Sequence, residues 1–84
     1  MEQRIGRVTH FYGRIRVAVL ELGDELKVGD VIRIQGRRTD LTQEVQSLEI
    51  EHQQVQSVGP GAEVALKVVE PVRKNDVVYK VIED

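Results

Sequence analysis

The chain has 84 residues, with 12 Lys and Arg against 14 Asp and Glu and a formal net charge of −2. That length allows one domain, expected over 1–84 and able to bury only about 60 to 65% of its unfolded surface, and the mild acidity argues against a general nucleic-acid coat protein. With no cysteine there is neither a disulfide framework nor a thiolate metal site. No apolar run nears the ~20 residues of a membrane span and no signal-peptide order opens the chain, so a cytoplasmic location without a membrane partner is expected.

Fifteen valines and six isoleucines against three Phe and Tyr favour strands over helices. In chain order the alternation predicts strands at about 4–10, 14–20, 31–35, 45–52, 62–69 and 76–82, which implies an all-β fold, a single small closed or nearly closed antiparallel β-barrel of about six strands. In the second, Ile15, Val17 and Val19 share the face expected to be buried, leaving Arg14 and Arg16 outside. In the third, Ile32 and Ile34 alternate with Arg33 and Gln35, bracketed by turns at Gly29-Asp30 and Gly36. No Gly-Lys-Ser or Gly-Lys-Thr follows either glycine, so these are read as turns and no nucleotide site is expected. The fourth segment is ambiguous. Leu41, Val45, Leu48, His52 and Val55 recur at helical spacing with Asp40 as a candidate cap, but Leu48 and Ile50 alternate with Ser47, Glu49 and Glu51, and a strand is preferred. In the fifth, Val64, Leu66 and Val68 share the buried face.

The candidate sites are few. Residues 1–42 hold eight Lys or Arg against six acids, and seven of those eight cations are arginine, the side chain suited to planar recognition of phosphate and carboxylate. If the strands joined by residues 21–30 pair, Arg33, Arg37 and Arg38 approach Arg14 and Arg16. The five then form an anion-facing surface, with a solvated, aggregation-resistant sheet face as the alternative. Tyr12, expected to point away from Phe11, could add a stacking or anchoring ring, the alternative being packing at a barrel rim. His10 and His52 with Asp40 could form a secondary polar cluster, although their spacing supports no metal site; half-exposed histidines at strand ends are the plainer reading. Ser47 has no nucleophile elbow around it, and no catalytic residue or cofactor is expected. The turn in Ser57–Glu63 could form an anion nest, or serve only as a Gly-Pro turn.

The order "LKVGDVIRIQG", "VQSLEI", "VQSVGPGAEVALKV" resembles the β-barrel second domain of translational GTPases of the elongation factor Tu type. The strings "IGRVTHFYGRIRVAVLEL", "TDLTQEVQSLEIEH" and "EPVRKNDVVYKV" are similar to the small translation elongation factor-like proteins and to the C-terminal domain of collagenase-like peptidases. The resemblance implies a non-enzymatic binding module that engages RNA, the ribosome, tRNA or a translation factor. The alternative it implies is a protein-interaction or substrate-presenting accessory module for a collagenase-like peptidase chain. Gly6 and Arg7 stand where elongation factor Tu carries acidic residues, so binding of an aminoacyl end is not implied.

Overall fold

The first strand has to bend before it can be used on both sides. In the computed structural model, which describes residues 1–83, β1 (Glu2–Tyr12) pairs with β2 (Val17–Leu22) on one edge and with β10 (Val77–Val81) on the other. The register slips between Arg4 and Gly6 against β10, and between Val8 and His10 against β2. Each slip is an extra residue that bends the strand and re-aims its side chains. Ile5 and Val8, three apart, thereby both reach the core, which straight alternation forbids. Gly6 sits at the first bend because a Cβ there would run into the backbone carbonyl of Glu21.

The remaining strands are β3 (Leu26–Lys27), β4 (Val31–Gln35), β5 (Asp40–Glu44), β6 (Leu48–Ile50), β7 (Gln53–Val55), β8 (Ser57–Val58) and β9 (Glu63–Lys67). Eight of the ten strands form one antiparallel sheet in the order β5-β4-β10-β1-β2-β9-β6-β7, while β3 and β8 make a separate pair. The buried residues of all these strands belong to one core cluster, so the sheet curls and encloses its own inner face. All described secondary structure is strand and turn, and among the described residues no helix is long and apolar enough to cross a membrane.

The all-β expectation holds, but the closed six-stranded barrel does not: the edges β5 and β7 do not pair with each other. The gap is bridged from β5 by a side chain. The Gln43 amide donates from Nε2 to the Lys67 carbonyl at 2.9 Å and accepts the Val69 N–H at 2.8 Å, standing in for a peptide unit. At the far end of β5, the Val45 N–H donates to the Asp30 carbonyl and the Gly29 N–H to the Val45 carbonyl.

Two further expectations are corrected. Residues 45–52 are not one strand, because Val45 and Leu48 are both fully buried and a spacing of three demands a kink between them. The second strand is out of phase with its expected face: Ala18, Leu20 and Leu22 are buried, and Ile15 is 60% exposed. The cause is the turn at Gly13–Arg16, closed by Arg16 in left-handed conformation with φ 53°. By contrast, Ile32 with Ile34, and Val64, Leu66 and Val68, face the core as expected.

One turn design is used twice. In 27–30 the Asp30 N–H donates to the Lys27 carbonyl while the Lys27 N–H donates to Asp30 Oδ2, and Gly29 takes φ 98°. In 73–76 the Asp76 N–H donates to the Arg73 carbonyl, the Arg73 N–H donates to Asp76 Oδ2, and Asn75 takes φ 76°. Positive φ at the third position is the type II pattern, which Gly and Asn tolerate best. Each turn follows a buried apolar anchor, Leu26 or Val72, and launches one member of the β4–β10 pair, in which Arg33 lies opposite Tyr79. At the other end of β10 the residues flanking the first and last strands meet: the Ile82 N–H donates to the Met1 carbonyl and the Met1 ammonium to the Ile82 carbonyl.

Two stability tests follow from this backbone. Gly6→Ala should cost at least about 2 kcal/mol by overpacking against backbone, a large share of the roughly 4 to 12 kcal/mol expected of a domain this size. Gly59→Ala, with nothing within 4 Å of the added carbon, should leave the urea midpoint nearly unmoved. At the two-residue β6–β7 loop, Glu51 and His52 both hold positive φ, 50° and 66°, as a type I′ hairpin requires and as Asn-Gly does with far less strain. The double substitution Glu51→Asn with His52→Gly should therefore raise the melting temperature by about 4 to 8 °C, for a gain of about 1 kcal/mol.

Candidate functional site

The five arginines expected to share one face are divided by the strand order. β2 pairs with β1 and β9, and β4 with β10 and β5, so β10 and β1 lie between β4 and β2. The 21–30 connection is not a tight hairpin, since β3 leaves it to pair with β8. Arg14 lies exposed in the 13–16 turn. Arg16 directs its Nη1 to the Val69 carbonyl at 3.2 Å and serves to anchor the segment after β9.

Arg33 is occupied within the fold. Its Nε and Nη2 donate to Asp40 Oδ1 and Oδ2 at 2.9 and 3.0 Å, a two-pronged pairing. Its Nη1 reaches Glu2 at 3.2 Å across β10. The hydrogen bonds and charge of Asp40 and Glu2 push the guanidinium still further above its already high value, and the same fork holds the Asp40 carboxyl below the ordinary carboxylate value. This one side chain ties the starts of β1 and β5 to β4.

Arg37 and Arg38, exposed in the β4–β5 turn, do meet other cations. They line an open cleft of about 410 Å3 with Arg73 and Lys74 of the 73–76 turn, beneath which lie Gly36 and the buried Asp76. The closeness of the two turns is enforced by Gly36, where a Cβ would overlap the Asp76 carboxylate. Asp76 is 5% exposed and accepts the Arg73 N–H. Arg73 and Lys74 were not among the sequence candidates; the signal was the doublet immediately before a turn, but its partner doublet is joined to it only by the β4–β10 pairing.

Tyr12 is 50% exposed and its ring stands 4.3 Å from that of His10, tilted by 55°, while Phe11 packs against the core. On the outer face Tyr12 borders a shallow groove with Val19, Ala65 and Ile50 as its apolar lining and Glu49, Glu51, His52 and Glu63 around it. His10 and His52 are thus both near Tyr12, whereas Asp40 is held by Arg33. Among the described residues no group of three His, Cys, Asp or Glu is placed to hold a metal.

Comparison with known proteins gives one sequence relative and a clear fold likeness. The chain is 42% identical over 76 residues, 89% of its length, to an uncharacterized protease of Methanocaldococcus jannaschii, and spans only 19% of that protein. Its fold matches the C-terminal domain of a Geobacillus thermoleovorans protein assigned as a U32 peptidase, with a TM-score of 0.89, covering 95% of this chain and 93% of that one at 18% identity. The selenomethionine variant of the same domain gives a TM-score of 0.86 at 18% identity, covering 90% of this chain and 96% of that one. At that identity the likeness is one of fold. No family model matches the chain. The peptidase-domain half of the sequence resemblance is supported, and the translation-factor half, with its RNA, ribosome, tRNA and translation-factor partners, receives no support.

The Arg33–Asp40 pair carries a pH signature. A carboxyl whose folded value is depressed adds stability that is fully present above its unfolded value of about 3.9 and is lost as pH falls through the folded one. Asp40→Asn should therefore be less stable than the parent chain at pH 7, with the difference closing below about pH 4 in urea titrations. A gap that persists unchanged to pH 2 would show that charge is not its source.

Proposed function

We propose that the chain is a non-catalytic accessory module that binds a peptidase chain and holds it, or its substrate, in position. The observation that supports this most is the alignment itself: nearly all of this chain corresponds to a fifth of a protease, and its fold is that of a domain set at the end of another peptidase. The recesses of the described surface are open rather than enclosed, which is compatible with a surface that meets another protein. A fold shared with peptidase domains does not by itself transmit an activity.

The test is capture of a U32-type peptidase from the same genome by the tagged full chain, with and without ribonuclease. The expected outcome is stoichiometric retention that survives ribonuclease, together with no turnover of peptides, GTP or ATP by the chain alone. Retention of ribosomes in place of the peptidase, or peptide cleavage by the purified chain, would overturn the proposal.

A further inference from the structure

The cationic cleft has no internal purpose in the fold. Among the described residues, Arg37, Arg38, Arg73 and Lys74 form no ion pair, and their side chains make no hydrogen bond. The arginines and lysines that do pair are Arg7 with Glu21, Lys27 with Glu25, Arg33 with Glu2 and Asp40, and Lys80 with Asp30. Asp76 lies beneath the cleft, but it is buried and bonded to the Arg73 N–H. The adjoining recess shares Arg38 and Arg73 and adds Glu70 and Asp40, of which Asp40 is held by Arg33 and Glu70 forms no ion pair. Four like charges are therefore drawn around one concavity by the buried Gly36–Asp76 contact. That arrangement is unfavourable in the free protein and is relieved by a partner of opposite charge.

We infer that this cleft docks an acidic, carboxylate-bearing protein segment, which, on the reading of the chain as a peptidase accessory module, is contributed by the peptidase chain. Two observations favour carboxylates over a nucleic-acid backbone. The cleft lining contains no aromatic side chain on which a base could stack. Its extent, about 410 Å3 between two turns, suits a few side-chain carboxylates in guanidinium forks rather than a track along a strand. Arg37, Arg38 and Arg73 supply the planar donors and Lys74 a mobile point charge.

The experiment titrates the isotopically labelled full chain, followed by amide NMR shifts, with a ten-residue Glu-rich peptide and separately with a ten-nucleotide oligouridylate, at two salt concentrations. The peptide should shift amides in 36–39 and 73–77. The triple variant Arg37→Ala, Arg38→Ala, Lys74→Ala should weaken its binding at least tenfold and lower peptidase capture in parallel, while retaining the dispersed spectrum of a folded chain. A control with Arg4→Ala and Lys27→Ala should stay within twofold of the parent. Shifts confined to other surfaces, equal affinity in the triple variant, or tighter binding of oligouridylate at the same amides would each overturn the carboxylate site. If the parent chain fails to capture the peptidase while the peptide shifts remain, the choice of partner falls and the carboxylate site stands.

Discussion

The structure depends on a gap. A curled sheet whose edge strands do not pair must keep its apolar inner face dry without a continuous ladder, and unpaired edges also invite other strands to add on. Here the Gln43 side chain, one donor and one acceptor on a short arm, reaches from β5 to the chain leaving β9 and pairs with the Lys67 carbonyl and the Val69 N–H on that side of the opening. The β3–β8 pair and the Val45 backbone bonds occupy the rest of the opening. Leu26 and Val58 of that pair are buried in the common core, so it works as a stopper as much as a sheet.

The same economy governs the charged surface. A domain of this size has little apolar surface to remove from water, and its polar groups are used to fix strand starts. Asp30 and Asp76 close the two matching turns, and Arg33 spans three strands with one side chain. These groups are committed to the fold. Among the described residues the side chains of Arg37, Arg38, Arg73 and Lys74 are not, and the Gly36–Asp76 contact gathers the four around one cleft.

How much of this is legible in the sequence depends on where alternation is undisturbed. Ile32 with Ile34 and Val64 with Leu66 and Val68 read directly, because only one face of each strand is strongly apolar. In 17–22 both faces are apolar, Val17 and Val19 against Ala18, Leu20 and Leu22, so the phase was set by the turn at Arg16 and not by the pattern. Around Val45 and Leu48 a kink produced a spacing that imitates a helix. The site follows the same division. The arginine-rich composition around Arg37 and Arg38 is visible, but their association with Arg73 and Lys74 arises from a strand pairing between distant segments, and the neutralisation of Arg33 arises from side chains on two other strands. A local pattern carries neither fact.

The mutual bonds of Met1 and Ile82 have a consequence for architecture. A polypeptide that enters and leaves a folded unit at one point can be spliced into a surface loop of a host without forcing the ends of that loop apart, and its own ends can be joined and reopened elsewhere with little strain. The geometry is that of a cassette, with the start of β1 and the end of β10 at a single stem and the cationic turns at the opposite end of β10.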